Sequence, residues 1–134
     1  MNPASLDIKD MLEAESSLGL VFSQNLFIGN EPASPSDTVT IYDTGGWKPQ
    51  LTFDKEEKYE RPTIQIRVRN TTYTDGWDII QSIRDSLHGR AHETWNGTYY
   101  SVIVCTSDIG FLDWDNNRRA RFVVNFNVQR RFIV

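Results

Sequence analysis

The sequence predicts an α+β protein: a mostly antiparallel β-sheet with two α-helices packed on one face, and a long exposed loop or hairpin after the second strand. Three observations carry this. Residues 6–15 and 77–87 place apolar side chains at helical spacing. Several runs, the clearest being 62–69 and 119–130, alternate with a period of two. The order of elements (helix, two strands, long polar stretch, strand, helix, two or more strands) groups the helices on one side of an antiparallel sheet.

The first helix starts at Asn2-Pro3, because Asn caps free backbone N–H groups and Pro suits the first helical position. Leu6, Ile8, Met11, Leu12 and Glu15 roughly follow helical spacing, with acids and Lys9 on the other face, and Ser16-Ser17-Leu18-Gly19 ends it. Residues 20–28 are apolar and aromatic enough for a strand, and 29–37 are a loop by composition. Thr38-Val39-Thr40-Ile41-Tyr42 alternates β-branched residues and reads as the second strand.

Residues 43–61 are polar and turn-rich, with Gly45-Gly46, Pro49 and Asp54-Lys55-Glu56-Glu57-Lys58. A connection this long inside a compact domain usually carries function. Leu51 and Phe53 alternate with polar residues, so part of the stretch reads as an extended arm or hairpin. In Pro62-Thr63-Ile64-Gln65-Ile66-Arg67-Val68-Arg69 the apolar residues face one way and Gln65, Arg67 and Arg69 the other. Thr74 or Asp75 caps the second helix, which runs to about His88 with Trp77, Ile80, Ile83, Arg84 and Leu87 along one stripe and Gly89 as its left-handed terminator. Residues 98–106 form a strand whose Val102, Ile103, Val104 and Cys105 are apolar on both faces, which suits a central position. After a turn at 113–117 the last strand runs over about 119–130.

With 134 residues, 39% hydrophobic and 24% charged, the chain has the size and composition of one domain spanning 1–134. It buries roughly two-thirds of its unfolded surface and needs no metal or disulfide to fold. No apolar run approaches the roughly 18 residues of a membrane-spanning helix, and no membrane partner is expected. The first residues lack the basic end and apolar stretch of a signal peptide, and Cys105 has no second cysteine to pair with. Both point to synthesis in a reducing cytoplasm. The net charge of −4 argues against general nucleic-acid binding. It is unevenly spread: residues 1–60 carry eleven acids against four Lys, and residues 61–134 carry ten Arg against seven acids. Such a split is ordinary for solvated faces, or lets unlike surfaces of neighbouring copies meet.

Signals for catalysis are weak. His88 and His92 have the spacing of a helical metal pair, but Gly89 lies between them and no Cys is near, so a surface loop is the better reading. Asp113, Asp115 and Asn117 match the first ligand positions of a calcium loop. Arg118 replaces its turn glycine and Val124 its bidentate Glu, which leaves a tight turn. Cys105 falls in the most apolar strand and reads as an inert core thiol. Asp54, Glu57 and Glu60 ahead of Gln65-x-Arg67 would be the carboxylates of a small metal-dependent hydrolase. That chemistry wants an acid followed by Lys on the strand, and this chain offers Gln and Arg. No nucleophile elbow or phosphate-cradling Gly-Lys-Thr loop is present. The expectation is a protein that is not an enzyme, with no cofactor and no specific metal.

Four pieces in order resemble the tail terminator family of tailed bacteriophages, also called minor capsid proteins. They are Thr40-Ile41-Tyr42-Asp43-Thr44-Gly45-Gly46; Arg61 with the Pro62-led strand ending in alternating Arg; Tyr73 and the helix to Leu87, followed by Asn96-Gly97 and a strand; and Gly110-Phe111-Leu112-Asp113-Trp114-Asp115-Asn116-Asn117-Arg118 leading to Phe122-Val123-Val124-Asn125-Phe126-Asn127-Val128. They cover about residues 38–130; residues 1–37 share only a helix and a strand with the family. The resemblance implies a virion protein at the phage neck, a homo-hexameric ring that caps the tail tube, ends its polymerisation and joins the tail to a head-side connector or stopper protein. DNA would pass through the ring only as cargo. A connector or stopper that touches DNA is the neighbouring alternative.

Aromatic residues are favoured at interfaces, so Trp47, Leu51, Phe53 and Tyr59 of the long stretch are candidate contacts with another subunit or the tube. A ring closes by heterologous contacts between unlike patches. The candidate charge pairs set Asp54, Glu56, Glu57 and Glu60 against Arg67 and Arg69 on a strand and Arg118, Arg119 and Arg121 near a turn.

Overall fold

The computed structural model describes residues 1–50 and 59–132. Its elements are α1 (Ala4–Ala14), a single 3-10 turn (Ser16–Leu18), β1 (Leu26–Ile28), β2 (Thr38–Gln50), β3 (Tyr59–Asn70), α2 (Tyr73–Leu87), β4 (Arg90–Trp95), β5 (Thr98–Cys105), β6 (Gly110–Trp114) and β7 (Ala120–Phe132). The sheet order is β1-β2-β3-β7-β5-β4, with β6 pairing β7 alongside. Only the β1–β2 pair is parallel among the described strands. The predicted class is the observed one.

One face of the sheet is the core face. Val39 and Ile41 of β2, Ile64, Ile66 and Val68 of β3, and Phe122, Val124, Phe126 and Val128 of β7 are buried there. Ile8, Met11 and Leu12 of α1 and Ile80, Ile83 and Leu87 of α2 join them in one cluster. Both helices therefore cover the same face. The period-two alternation of β3 and β7 dictates this, because a strand with one apolar side must bury that side against something.

Several local expectations change: the strand expected over 20–28 is only Leu26–Ile28, and α2 starts at Tyr73 after Thr72, ahead of Thr74 and Asp75. Asn2 does not cap α1: the residue before the helix is Pro3, and no side chain of its own segment supplies a cap. Asp43 of β2 does so instead, accepting from the Ser5 N–H at 3.1 Å and from its hydroxyl at 2.6 Å. The helix N-terminus is thus satisfied by a residue 38 positions away, which fixes α1 to the sheet. The stretch after Tyr42 takes the hairpin alternative at its start: β2 runs on past Tyr42 to Gln50 and pairs with β3 as far as Gln50↔Tyr59. Register shifts at 43–46 and 47–50 absorb Gly45 and Gly46, the residues that made the segment look like a turn. His92, read with His88 as part of a surface loop, lies instead in the edge strand β4.

Candidate assembly surfaces

The β2–β3 hairpin pairs strands of 13 and 12 residues. A Cβ on Gly46 would lie 2.4 Å from the Arg61 carbonyl oxygen and 2.9 Å from the Pro62 Cα. Only glycine allows the two backbones this close approach, and with φ at +118° it also adopts a conformation other residues avoid. The next residue, Trp47, pairs with Arg61 and is 73% exposed. Its ring walls a shallow hollow of about 240 Å³ on the open face of the sheet, with Val102, Val104 and Asn127 opposite. Tyr59 and Glu60 begin the returning strand half-buried, and Glu60 pairs with Arg130 at 3.1 Å. Leu51, Phe53, Asp54, Glu56 and Glu57 lie outside the described residues.

Four of the five candidate arginines make contacts within their own subunit. Arg69 is 2% exposed. It donates to the Ser36, Pro32 and Pro35 carbonyls at 3.1, 2.5 and 2.7 Å and to Glu31 Oε1 at 3.1 Å. Arg119 donates to Asp115 at 2.7 Å and to the Ala33 carbonyl at 2.8 Å. Arg121 forms a two-pronged pair with Asp113 at 2.6 and 2.5 Å and reaches Glu31 at 3.5 Å. Together they hold the 29–37 loop against the outer side of the sheet. Three arginines of the candidate charge set are thereby accounted for without a neighbouring copy. Arg67 is half-buried, donating to Gln65 at 2.9 Å and lying 5.1 Å from the Tyr42 ring centre. Arg118 remains exposed, in the turn, at φ +59°.

Two carboxylates of this cluster, Asp113 and Asp115, are held below their ordinary range. The Arg121 hydrogen bond holds Asp113 below the usual carboxylate range. Burial pulls Asp115 upward, but the Arg119 and Asn117 N–H donors outweigh it and the net shift is downward. These N–H groups at 2.9 Å make Asp115 the organiser of the 115–119 turn, the role expected for it in place of a calcium ligand. Glu31 Oε2 is buried and has no hydrogen-bond partner.

A second surface lies at the opposite end of β3. Tyr73, Trp77, Phe111 and Trp114 are exposed aromatics, with Trp114 at 52%. They surround the buried Phe122: its ring centre lies 4.9 Å from Tyr73, 5.9 Å from Trp77 and 5.7 Å from Phe111. Trp114 joins through Phe111 at 5.8 Å and Tyr73 at 6.1 Å. A hollow of about 270 Å³ opens between Tyr73, Thr74, Trp77 and Asp78. The helical stripe made Trp77 visible in the sequence; the clustering of rings from α2, β6 and β7 was not.

A buried polar network was also missed. Asp7, expected on the solvated face of the first helix, is fully buried. It accepts hydrogen bonds from the Tyr100 hydroxyl and from Asn96 at 2.7 Å. Arg130 donates to Tyr100 at 3.3 Å and to the Asn2 carbonyl at 2.8 Å. Burial, followed by the bond to Asp7, pushes the Tyr100 hydroxyl far above the usual tyrosine value. The available signal was position, since Asp7 stands four residues before Met11 on the buried stripe.

No metal-binding group of three or more His, Cys, Asp or Glu forms among the described residues. His88 Nδ1 accepts from the Cys105 N–H at 2.9 Å, whereas His92 bonds the Tyr99 hydroxyl at 2.5 Å. Burial raises the Cys105 thiol and suppresses its thiolate. Among the described residues, no helix is long and apolar enough to cross a membrane.

Comparison with known proteins places this arrangement. Residues 7–131 match the profile of the family described as "Bacteriophage tail terminator protein". Among solved structures, a chain of the "Virion of native gene transfer agent (GTA) particle" superposes with a TM-score of 0.66 at 12% identity. The match covers 95% of this chain and 93% of that one. At that identity the likeness is one of fold. No curated protein matches the sequence.

Proposed function

The chain belongs to the bacteriophage tail terminator family, and on that premise we propose that it caps the tail tube as a ring of six copies. In this reading the ring ends tube polymerisation and joins the tail to a head-side connector or stopper, with DNA passing through it as cargo. The protein is a structural component of the phage tail, made in the host cytoplasm and carried in the virion, with neither catalytic residues nor a cofactor. The observation that carries the reading is the family match over residues 7–131. The hairpin supports it, because the 73% exposed Trp47 is poorly placed for a lone subunit and well placed for an interface. The DNA-touching connector is less favoured, since Arg69, Arg119 and Arg121 spend their charge on their own subunit.

The test is assembly without and with the protein. Tails built in its absence should carry tubes of excess length and fail to join heads, and added protein should restore both. Mass measurement should find about six copies per tube end. Normal tube length and joining without the protein would overturn the reading. Removal of residues 48–58 should leave the core folded and weaken assembly.

A further inference from the structure

Two exposed aromatic features lie at opposite ends of the sheet. Trp47 stands on the hairpin, opposite Arg61 of β3. The Tyr73–Trp77–Phe111–Trp114 patch lies just past Asn70, where β3 ends. Nine residues of strand separate Arg61 from Asn70, about 30 Å at roughly 3.3 Å per residue. A copy cannot therefore cover its own patch with its own Trp47, whereas a second copy placed head to tail can.

The chemistry of the two ends matches. The patch offers ring faces around a hollow of about 270 Å³ whose rim includes Asp78, and Asp75 lies in the same turn of α2. Both carboxylates are exposed and have no ion pair among the described residues. The hairpin offers an exposed indole followed by exposed Lys48, which likewise has no ion pair among the described residues. An indole on an aromatic floor and an ammonium at the acidic rim satisfy both ends at once. Burying the rings supplies most of the gain; the screened Lys–Asp contact sets orientation.

We propose that the Tyr73–Trp77–Phe111–Trp114 patch receives the Trp47–Lys48 segment of a second copy, a heterologous contact that repeats from subunit to subunit. The proposal rests on the ring reading above and names the two surfaces that would meet in it. It also assigns the contact to aromatic burial instead of to the arginine pairs.

The experiment mixes two variants. Trp47→Ala lacks only the hairpin side, and Trp77→Ala lacks only the patch side. Each alone should shift the assembly midpoint at least about 30-fold, the effect of losing a hot-spot side chain worth about 2 kcal/mol. Mixed in equal amounts, they retain one intact junction between a Trp77→Ala hairpin and a Trp47→Ala patch. A heterodimer that grows no further should appear by native mass measurement. A second pair, Lys48→Glu and Asp78→Lys, leaves the aromatic packing in place and should assemble better together than either does with wild type. If both Trp variants form the wild-type oligomer unchanged, the proposal is overturned while the ring stands. Normal oligomers that fail only to bind tubes would also overturn it and assign the patch to the tube. If wild type itself stays monomeric both alone and on tubes, the ring reading fails and the proposal fails with it.

Discussion

Arg69 and Glu31 lie 38 residues apart in sequence and 3.1 Å apart on the outer side of the sheet. The guanidinium is almost wholly buried, and its other donors are taken by three loop carbonyls. A buried cation is tolerated only when its charge and donors are matched, and here one loop provides the whole set. The loop in turn has its shape defined by a side chain of the strand it covers.

Removing that side chain should therefore be costly. Arg69→Ala is expected to destabilise the fold by about 3–5 kcal/mol, because the loop carbonyls lose their donors while still enclosed and Glu31 keeps only the 3.5 Å contact with Arg121. Arg69→Lys should rescue little, since one ammonium cannot reproduce a planar fork of five N–H donors. Equilibrium denaturation measures both; a cost below about 1 kcal/mol would mean the loop is held by something else.

Gly76 lets α2 approach β7. A Cβ there would lie 2.8 Å from the Phe122 ring and 3.1 Å from the Asn70 Cβ. Alanine is worth up to about 1 kcal/mol more than glycine within a helix, but overpacking costs about 1–3 kcal/mol. Gly76→Ala is expected to destabilise on balance, and because Phe122 must move, tryptophan fluorescence should report the change at Trp77. A stabilised variant with an unchanged spectrum would contradict this packing.

Gly46 makes a different demand, since its neighbours are backbone atoms that cannot swing aside. Gly46→Ala should force the hairpin strands apart around Pro62 at a local cost of about 1–3 kcal/mol. The core should remain folded, and assembly that depends on Trp47 should weaken. Circular dichroism together with oligomer mass separates the two effects; full assembly at wild-type concentration would argue against the hairpin.

Stability should fall at both ends of the pH scale. Asp113 and Asp115 have lowered folded-state values, so their contribution is present above the unfolded carboxylate value of about 4 and is lost as pH falls below it. The Tyr100 value is raised, so its contribution is complete below the unfolded value of about 10 and is lost as pH rises above it. Melting temperatures across pH should show Asp113→Asn flattening the acid limb and Tyr100→Phe flattening the alkaline one. Tyr100→Phe should also cost about 1–3 kcal/mol at neutral pH, because buried Asp7 keeps only Asn96. Limbs unchanged in these variants would remove both groups from the account.

The sequence by itself determined the fold class and the central strands. Ile64, Ile66 and Val68 alternate with Gln65, Arg67 and Arg69, and that period fixes both a strand and its buried side. Phe122, Val124, Phe126 and Val128 do the same for β7, and the stripe through Ile80, Ile83 and Leu87 for α2. The ordered motifs were enough to indicate the family. Edge elements were not legible: β4 buries little on either side, so Arg90–Trp95 shows no alternation, and β2 beyond Tyr42 is a strand because β3 lies beside it. Only the tertiary structure decided where the charges go. Arg69 shares the polar side of its strand with Arg67, and nothing local says that the 29–37 loop folds over one and leaves the other half-exposed. The same holds for Asp43 capping α1, Asp7 meeting Tyr100, and three segments bringing their rings around Phe122. Periodicity is a property of neighbours along the chain, whereas a hydrogen-bond partner or a ring contact is a property of distance in space.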